Sequence, residues 1–326
     1  MISGAASRIV QTGLALVVTS IIVFVGVYLI GEPTALYDPL VRDDPEKLAA
    51  VREELGLNLP LYKQYLIFVT NVFSGDFGQS WVFQEPVLKV ILERLPATLE
   101  LVFLAMAIAI SLGFPLGLLA GLNKGRWYAV AVERVAVLGY STPTFWIGLI
   151  LIYTFAVGFE VLPSIGRGDT VEIFGVGWSL FTADGLSHLI LPAITLSLYE
   201  IGYIARMTST LTQEAMTADY VRFATAKGLT PSQLVRRHVI KNISIPLITI
   251  ITIETGALVA GSVVTESLFG WPGVGKLLVD SVAALDRPVI VAFMLLATFF
   301  FLMLNMVADI TYHVIDPRLS RRGSSQ

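Results

Sequence analysis

The sequence contains no cysteine, only three histidines and few charged residues. Charged side chains account for 14% of the 326 residues and hydrophobic ones for 55%, and the mean hydropathy is +0.75. The absence of cysteine excludes disulfides, thiolate metal ligands and a cysteine nucleophile. Charge this sparse is atypical of a soluble domain of this length, so we expect the chain to lie in a lipid bilayer.

Six apolar runs are long enough to cross a hydrocarbon core about 30 Å thick. They are Ile9–Ile30, Leu101–Asn123, Val135–Phe159, Gly185–Tyr199 with an extension to Ala205, Ile243–Thr265 and Val289–Ala308. The sequence therefore predicts an all-α membrane protein with six transmembrane helices. Kinks are expected at Pro115, Pro143 and Pro192. Gly113 and Gly117 form a small-residue face that favours close helix packing.

The first run could instead be a cleaved signal peptide. Such a peptide has an apolar core of about 7 to 15 residues and a small-residue cleavage site. Here the run from Ile9 to Ile30 is longer, and Gly31-Glu32-Pro33 follows it. These features favour a retained first transmembrane helix.

Residues 32–96 differ in composition and are expected to form a small external cap. Asp44-Pro45 and Gly56 frame one short helix. A second, amphipathic helix is predicted from about Pro60 to Phe73, and Ser74-Gly75-Asp76 ends it. A solvated linker is the alternative for this region, but its many aromatic residues disfavour that interpretation.

The distribution of lysine and arginine predicts the topology. With a cytoplasmic N-terminus and six crossings, the short loops richest in basic residues fall in the cytoplasm, as the positive-inside rule requires. Both termini are then cytoplasmic, including the tail 317–326. The polar segment Thr217–Pro246, between the fourth and fifth runs, is cytoplasmic as well.

This polar segment is predicted to be a hairpin of two short helices. The first is expected over Asp219–Lys227, with Gly228 in a left-handed conformation just past its end. Thr230 can cap the second helix, with Pro231 at its first position and Gln233 completing a capping box. The second helix is expected to end near Lys241.

A surface on the first hairpin helix is the candidate contact site. Tyr220, Phe223 and Ala224 fall on one face at i, i+3 and i+4. The candidate contact residues are Asp219, Tyr220, Arg222, Phe223, Ala224, Lys227 and Gly228. A plain alternative is a cytoplasmic loop whose basic residues only fix topology.

Charged residues inside the apolar runs are candidates for function, because a carboxylate in mid-bilayer is costly. Glu254 is the deepest of them and could line a translocation path, bind a coupling ion, or pair with a neighbour. Glu100, Glu200 and Asp309 fall nearer the predicted helix ends and are expected at the membrane interfaces.

Other motifs carry no chemistry. Gly270–Lys276 resembles a phosphate-binding loop, but Leu277 stands where a magnesium-binding hydroxyl is needed and Pro272 removes an N–H donor. The dispersed histidines predict no metal site. We find no nucleophile-base pair and no basic, aromatic surface suited to nucleic acid.

Several motifs resemble one family of permeases. YVRFATAKGL with RRHVIKNISIP resembles the cytoplasmic coupling loop of ABC importer permeases of the dipeptide, oligopeptide and nickel group. LGLNLPLYKQYL, SGDFGQSW, ERLPATLEL, STPTFWIGLILI, HLILPAITL and TESLFGWPGVGKLLVD resemble other regions of the same group. Elsewhere in the wider family the loop reads Glu-Ala-Ala, three residues, Gly. Those positions here hold Arg222, Phe223, Ala224 and Gly228, so a contact made by that Glu cannot be assigned to Arg222.

This resemblance, from about Arg8 to Arg318, implies the type I (MetI-like) importer permease fold and a function. It implies a non-enzymatic permease subunit of an ATP-driven importer in the prokaryotic inner membrane, moving di- or oligopeptides, a nickel complex or an oligosaccharide. The implied partners are a second permease in a heterodimer, two ATPases that bind ATP and magnesium, and an external substrate-binding protein. The chain itself then needs no cofactor. The implied divisions are 1–31, 32–96, 97–316 with the coupling loop 217–246, and 317–326.

Two other classes remain as alternatives. An ion-coupled secondary transporter would need its own coupling carboxylates and usually repeated halves, and only Glu254 favours it. An intramembrane enzyme is disfavoured by the missing catalytic constellation.

Overall fold

The computed structural model describes residues 2–29, 45–54 and 58–315. The predictions for residues 31–33, Asp44, Gly56 and the tail 317–326 lie outside this part of the chain. The described part of the chain is mostly helical, as the apolar runs predict. The helices are α1 (Ile2–Leu29), α2 (Pro45–Glu54), α3 (Leu61–Phe73), α4 (Val87–Leu122), α5 (Trp127–Ser141), α6 (Thr144–Leu151), α7 (Ala183–Thr217), α8 (Asp219–Ala226), α9 (Pro231–Leu234), α10 (Ile240–Leu268), α11 (Val274–Ala283) and α12 (Arg287–Ile315). One antiparallel hairpin pairs β1 (Val171–Ile173) with β2 (Val176–Trp178), with Val171 opposite Trp178.

Contacts divide the chain into two units, residues 1–92 with 280–300 and residues 93–279 with 301–326. In the first unit, α3 packs on α1 through aromatic side chains. The ring of Phe24 lies 5.4 Å from that of Tyr65 and 5.7 Å from that of Phe68, and the Tyr65 hydroxyl is 2.8 Å from Ser20 Oγ. The predicted amphipathic helix after Pro60 is confirmed.

Asp286, just before α12, organises the loop that precedes α4 in the same unit. Its buried carboxylate accepts hydrogen bonds from the Ser80 hydroxyl and from the backbone N–H groups of Trp81 (3.2 Å) and Val82 (3.3 Å). Several donors on one carboxylate offset the cost of burying its charge.

In the second unit, α4 lies close against α7 along the predicted glycine face. A Cβ added to Gly113 would lie 2.9 Å from the Ile201 carbonyl oxygen, and one added to Gly117 would collide with Ala205. Side chains larger than hydrogen at these two positions would force the helices apart. The core of this unit is formed by Ala97, Leu101, Val102, Ala105, Met106, Ala109, Leu189, Ala193, Leu196, Ile204, Leu258 and Trp271.

The sequence predicts that the run Val135–Phe159 is one transmembrane helix with a kink at Pro143. The structure instead divides this run into two helical arms. α5 ends at Ser141, and α6 begins at Thr144 and continues as a π-helix over Ile152–Gly158, with 99° between the two arms. Pro143 disfavours a helical conformation at Thr142, which is extended with ψ 132. The break is therefore sharper than a proline kink.

The six-span count stays a prediction. Three described helices are long and apolar enough to cross a membrane, Val87–Leu122, Ala183–Thr217 and Pro231–Leu268, and the bent α5–α6 pair could provide a fourth span. Two shorter apolar helices, Gly13–Gly26 and Arg287–Met303, lie where the sequence predicts the first and last spans.

Glu100 lies well inside α4 rather than near a helix end, which corrects one expectation from the sequence. It is 2% exposed, and its Oε1 accepts from Arg167 Nε (2.8 Å) and the Ser179 hydroxyl (2.7 Å). Arg167 Nη2 also donates to the Gly177 carbonyl at 2.6 Å. The ion pair therefore holds the β1–β2 hairpin against α4. It was missed because Arg167 is far from Glu100 in sequence.

Glu266 anchors the turn between α10 and α11 and was not singled out by the sequence. The side chain is fully buried and accepts from Thr98 Oγ1 (2.7 Å), Ser262 Oγ (3.0 Å) and the Lys276 backbone N–H (2.9 Å). The nearby Trp271 indole donates to the Ala97 carbonyl at 2.8 Å. The segment Gly270–Lys276, whose sequence resembles a phosphate-binding loop, is therefore packed against α4.

Candidate functional site

The first arm of the predicted hairpin is α8, and its end is a Schellman motif. Gly228 has φ +82°, its N–H donates to the Thr225 carbonyl at 2.9 Å, and the Leu229 N–H donates to the Ala224 carbonyl at 3.3 Å. This pattern requires a left-handed residue after the helix. The predicted conformation of Gly228 is confirmed.

The second arm begins as predicted but does not end as predicted. The Gln233 N–H donates to Thr230 Oγ1 (3.4 Å), and the Thr230 N–H donates to Gln233 Oε1 (3.2 Å), which is a capping box with Pro231 at the first position. A stop near Lys241 is wrong. The helix does not end there. It continues from α9 through a π-helical segment, Val235–Val239, into α10, because the wider π-helical turn changes the hydrogen-bond register without interrupting the helix.

The hairpin is fixed to the helix bundle by a small apolar cluster. Val221 and Ala224 on α8 are 3% and 4% exposed. The buried members of the cluster are Ala215, Val221, Ala224, Leu234, Val239 and Ile243, and Phe114 and Leu118 of α4 pack against them. Ala224 is therefore an anchor, not part of the outward contact face that its i+4 spacing from Tyr220 suggests. Ala224 lies between the buried and the exposed face of α8, and the spacing of residues along the helix does not decide to which face it belongs. Packing against the other helices decides it.

The opposite face of α8 is open and carries aromatic and charged groups together. Phe223 is 63% exposed and Tyr220 38% exposed. Lys227 Nζ lies 4.5 Å from the centre of the Phe223 ring, a cation–π distance, and Arg222 Nη1 is 3.9 Å from Asp219 Oδ1. Such exposed ion pairs contribute little to stability.

Partial burial of Tyr220 raises the pKa of its phenol. The hydroxyl is protonated at neutral pH and can donate a hydrogen bond to a partner. Arg, Tyr and Phe are the residue types enriched where proteins meet. The structure thus brings together Asp219, Tyr220, Arg222, Phe223, Lys227 and Gly228, while it places Ala224 beneath them.

The predicted path residue, Glu254, lies on α10 and is half-buried. Glu200, which the sequence places nearer a helix end, lies midway along α7 and is 3% exposed. The expectation failed because α7 extends to Thr217, well beyond the apolar run that the sequence marks. The Asp309 side chain lies outside the described part. Within the described ranges, no cluster of His, Asp or Glu could hold a metal ion.

Comparison with known proteins identifies the class. The chain belongs to the binding-protein-dependent transport system inner membrane component family, whose model matches residues 113–321, and the N-terminal component of such systems matches residues 1–102. It is therefore a permease subunit of an ABC importer, a multi-pass plasma-membrane protein and not an enzyme. Permeases of this family work with a substrate-binding protein and ATPases, and carry no cofactor themselves.

Individual relatives are similar over nearly their whole length. The di/tripeptide transport system permease protein DppB of Pseudomonas aeruginosa is 38% identical over 89% of this chain and 90% of its own length. The probable D,D-dipeptide transport system permease protein DdpB of Escherichia coli is 36% identical over 93% and 95%. The dipeptide transport system permease protein DppB of Escherichia coli is 33% identical over 93% and 94%.

Solved structures agree with the fold. An inward-facing MetNI methionine ABC transporter matches with a TM-score of 0.56 and 18% identity, over 70% of this chain and 97% of that chain. An amino acid ABC transporter with histidines matches with a TM-score of 0.50 and 15% identity, over 69% and 94%. The type I importer permease fold expected from the sequence is confirmed.

Proposed function

We propose that this permease moves di- or oligopeptides and that the exposed face of α8 is its contact with an ATPase. The peptide assignment is supported by relatives at 33–38% identity whose names specify dipeptide or di/tripeptide transport. The coupling role is supported by one observation above all. One side of α8 exposes an aromatic, charged surface around Phe223. The other side of the same helix packs into the bundle.

This geometry suits the transmission of force. Val221 and Ala224 tie α8 to α7, α4 and α10, so a displacement of the exposed face must move helices rather than a loose loop. Packed elements change position as units between discrete states. ATP binding by the partner subunits can then shift the same two-state equilibrium on which substrate acts.

The proposed assembly contains a second, different permease, two ATPases that bind ATP and magnesium, and an external binding protein that delivers the peptide. Both termini and the loop 217–246 are cytoplasmic in this proposal. Residues 1–31 form the first transmembrane helix, 32–96 an external cap, 97–316 the permease core and 317–326 a cytoplasmic tail. Glu254 lines the translocation path.

Reconstitution tests this function. Vesicles containing the chain, the second permease and both ATPases should take up a labelled dipeptide only when ATP is present on the ATPase side and the loaded binding protein is present on the other. Collapse of the proton gradient should leave the rate unchanged. Uptake driven by a proton gradient in vesicles without ATPases would contradict the proposal and support an ion-coupled transporter.

A further inference from the structure

Glu200 is a buried acid for which the packing of the second unit supplies no partner. It lies in the middle of α7 and is 3% exposed. Among the residues that the structure describes, nothing forms a hydrogen bond with its Oε2. Buried polar groups in proteins are nearly always hydrogen-bonded, so an unpaired carboxylate oxygen indicates a role other than stability.

A second carboxylate, Glu254, lies close to the first. α7 and α10 pack against each other, and the Glu254 carboxylate is near enough to act electrostatically on Glu200 and on the phenols of Tyr199 and Tyr203. Glu254 is half-buried, so the pair can be reached from outside the core. Within the described ranges, no lysine or arginine forms an ion pair with either acid.

The nearby cation, Arg206, is already engaged. Its Nη1 donates to the Tyr140 hydroxyl, and its guanidinium carbon lies 5.6 Å from the centre of the same ring. Arg206 therefore contacts the tyrosine cluster and forms no ion pair with either acid. Two neighbouring carboxylates disfavour each other's ionised form, and a cation bound between them relieves that repulsion.

Tyrosine rings lie beside the two carboxylates, Glu200 and Glu254. Tyr199 and Tyr203 are stacked with centroids 6.2 Å apart and 11° between their planes, and Tyr140 meets Tyr199 edge-on at 6.5 Å. Tyr199 is 41% exposed, so part of this aromatic wall is open. Aromatic faces attract ammonium and guanidinium groups, which adds to the attraction of the carboxylates.

We propose that Glu200 and Glu254, with the rings of Tyr199 and Tyr203, form a transit site for an organic cation, the ammonium or guanidinium group of a lysine or arginine side chain in a transported peptide. The site rests on the proposed function, because peptides that contain lysine or arginine carry such a side-chain cation at neutral pH. The partial exposure of Glu254 suits a site that binds a group only in passing, since a group held too tightly could not leave.

The test compares two dipeptides, Ala-Lys and Ala-Glu, in vesicles containing the complete importer. Glu200→Gln and Glu254→Gln should each lower the uptake of Ala-Lys relative to Ala-Glu by about tenfold, the scale of a lost charge-assisted hydrogen bond. Glu254→Asp should retain most of the parent ratio because it keeps the charge. Glu214→Gln, on the same helix but exposed to solvent, is the matched control and should match the parent.

ATP hydrolysis stimulated by the loaded binding protein is measured in the same vesicles. The proposal expects parent-like stimulation in the Gln variants, which shows that they assemble and couple. Equal uptake ratios in parent and Gln variants, or an equal fall for both dipeptides, would overturn the cation site while leaving peptide import intact. If the binding protein stimulates no ATP hydrolysis in the parent with either Ala-Lys or Ala-Glu bound, the proposed function would instead be overturned.

Discussion

Substitution of Gly228 tests whether force passes through the turn of the coupling hairpin. The turn needs φ +82°, and no atom lies within 4 Å of a Cβ added there. The cost of a side chain is therefore conformational rather than steric. It is roughly 1 kcal/mol for alanine and about 1–2 kcal/mol for a β-branched valine.

A cost of this size is small beside the total stability of a folded domain, which is about 5–15 kcal/mol. It acts, however, on the two hydrogen bonds that close α8. A loss of 1.4 kcal/mol changes the equilibrium constant between the native and the distorted turn by about tenfold. We expect Gly228→Val to insert normally and to bind the second permease, but to misplace Phe223 and lose coupling.

The assay measures ATP hydrolysis stimulated by the loaded binding protein, together with uptake, in reconstituted vesicles. Gly125→Val is the matched control, because Gly125 has φ +87° and equally open space but lies between α4 and α5. We expect Gly228→Val to lower both activities by about tenfold and Gly125→Val to retain them. Parent-like activity of Gly228→Val, or an equal loss in both variants, would refute the reasoning.

Two further predictions concern topology and the turn between α10 and α11. Single cysteines introduced at the exposed Ser74 and Ser232 should be labelled from opposite sides of the membrane, because three predicted spans separate them, and same-sided labelling would contradict the six-span order. Glu266→Ala should lower the stability of the detergent-solubilised permease by about 2 kcal/mol or more, since it removes the acceptor of the buried Thr98 hydroxyl and of the Lys276 backbone N–H. Glu266→Gln, which keeps the shape, should cost less, and an unchanged melting temperature for the alanine variant would count against the anchoring role.

The sequence predicts those features of this fold that depend on neighbours along the chain. The left-handed Gly228, the capping box at Thr230 and the close approach at Gly113 and Gly117 each follow from the residue type and its spacing. These are local rules, and the structure confirms all of them.

Features that depend on distant residues could not be predicted in the same way. The burial of Glu100 depends on Arg167, and the inward orientation of Ala224 depends on packing against α4, α9 and α10. The length of α7 hid the central position of Glu200, because polar residues near Arg206 end the apolar run before the helix ends.

Cross-linking tests the central claim most directly, since the sequence contains no cysteine of its own. Phe223→Cys and Phe174→Cys each place one thiol on a strongly exposed position, one on α8 and one at the tip of the β1–β2 hairpin. In the assembled importer, we predict that a short thiol-to-amine cross-linker joins position 223 to an ATPase subunit and does not join position 174 to one. Cross-linking of an ATPase from position 174 but not from position 223 would contradict the assignment of α8 as the coupling surface.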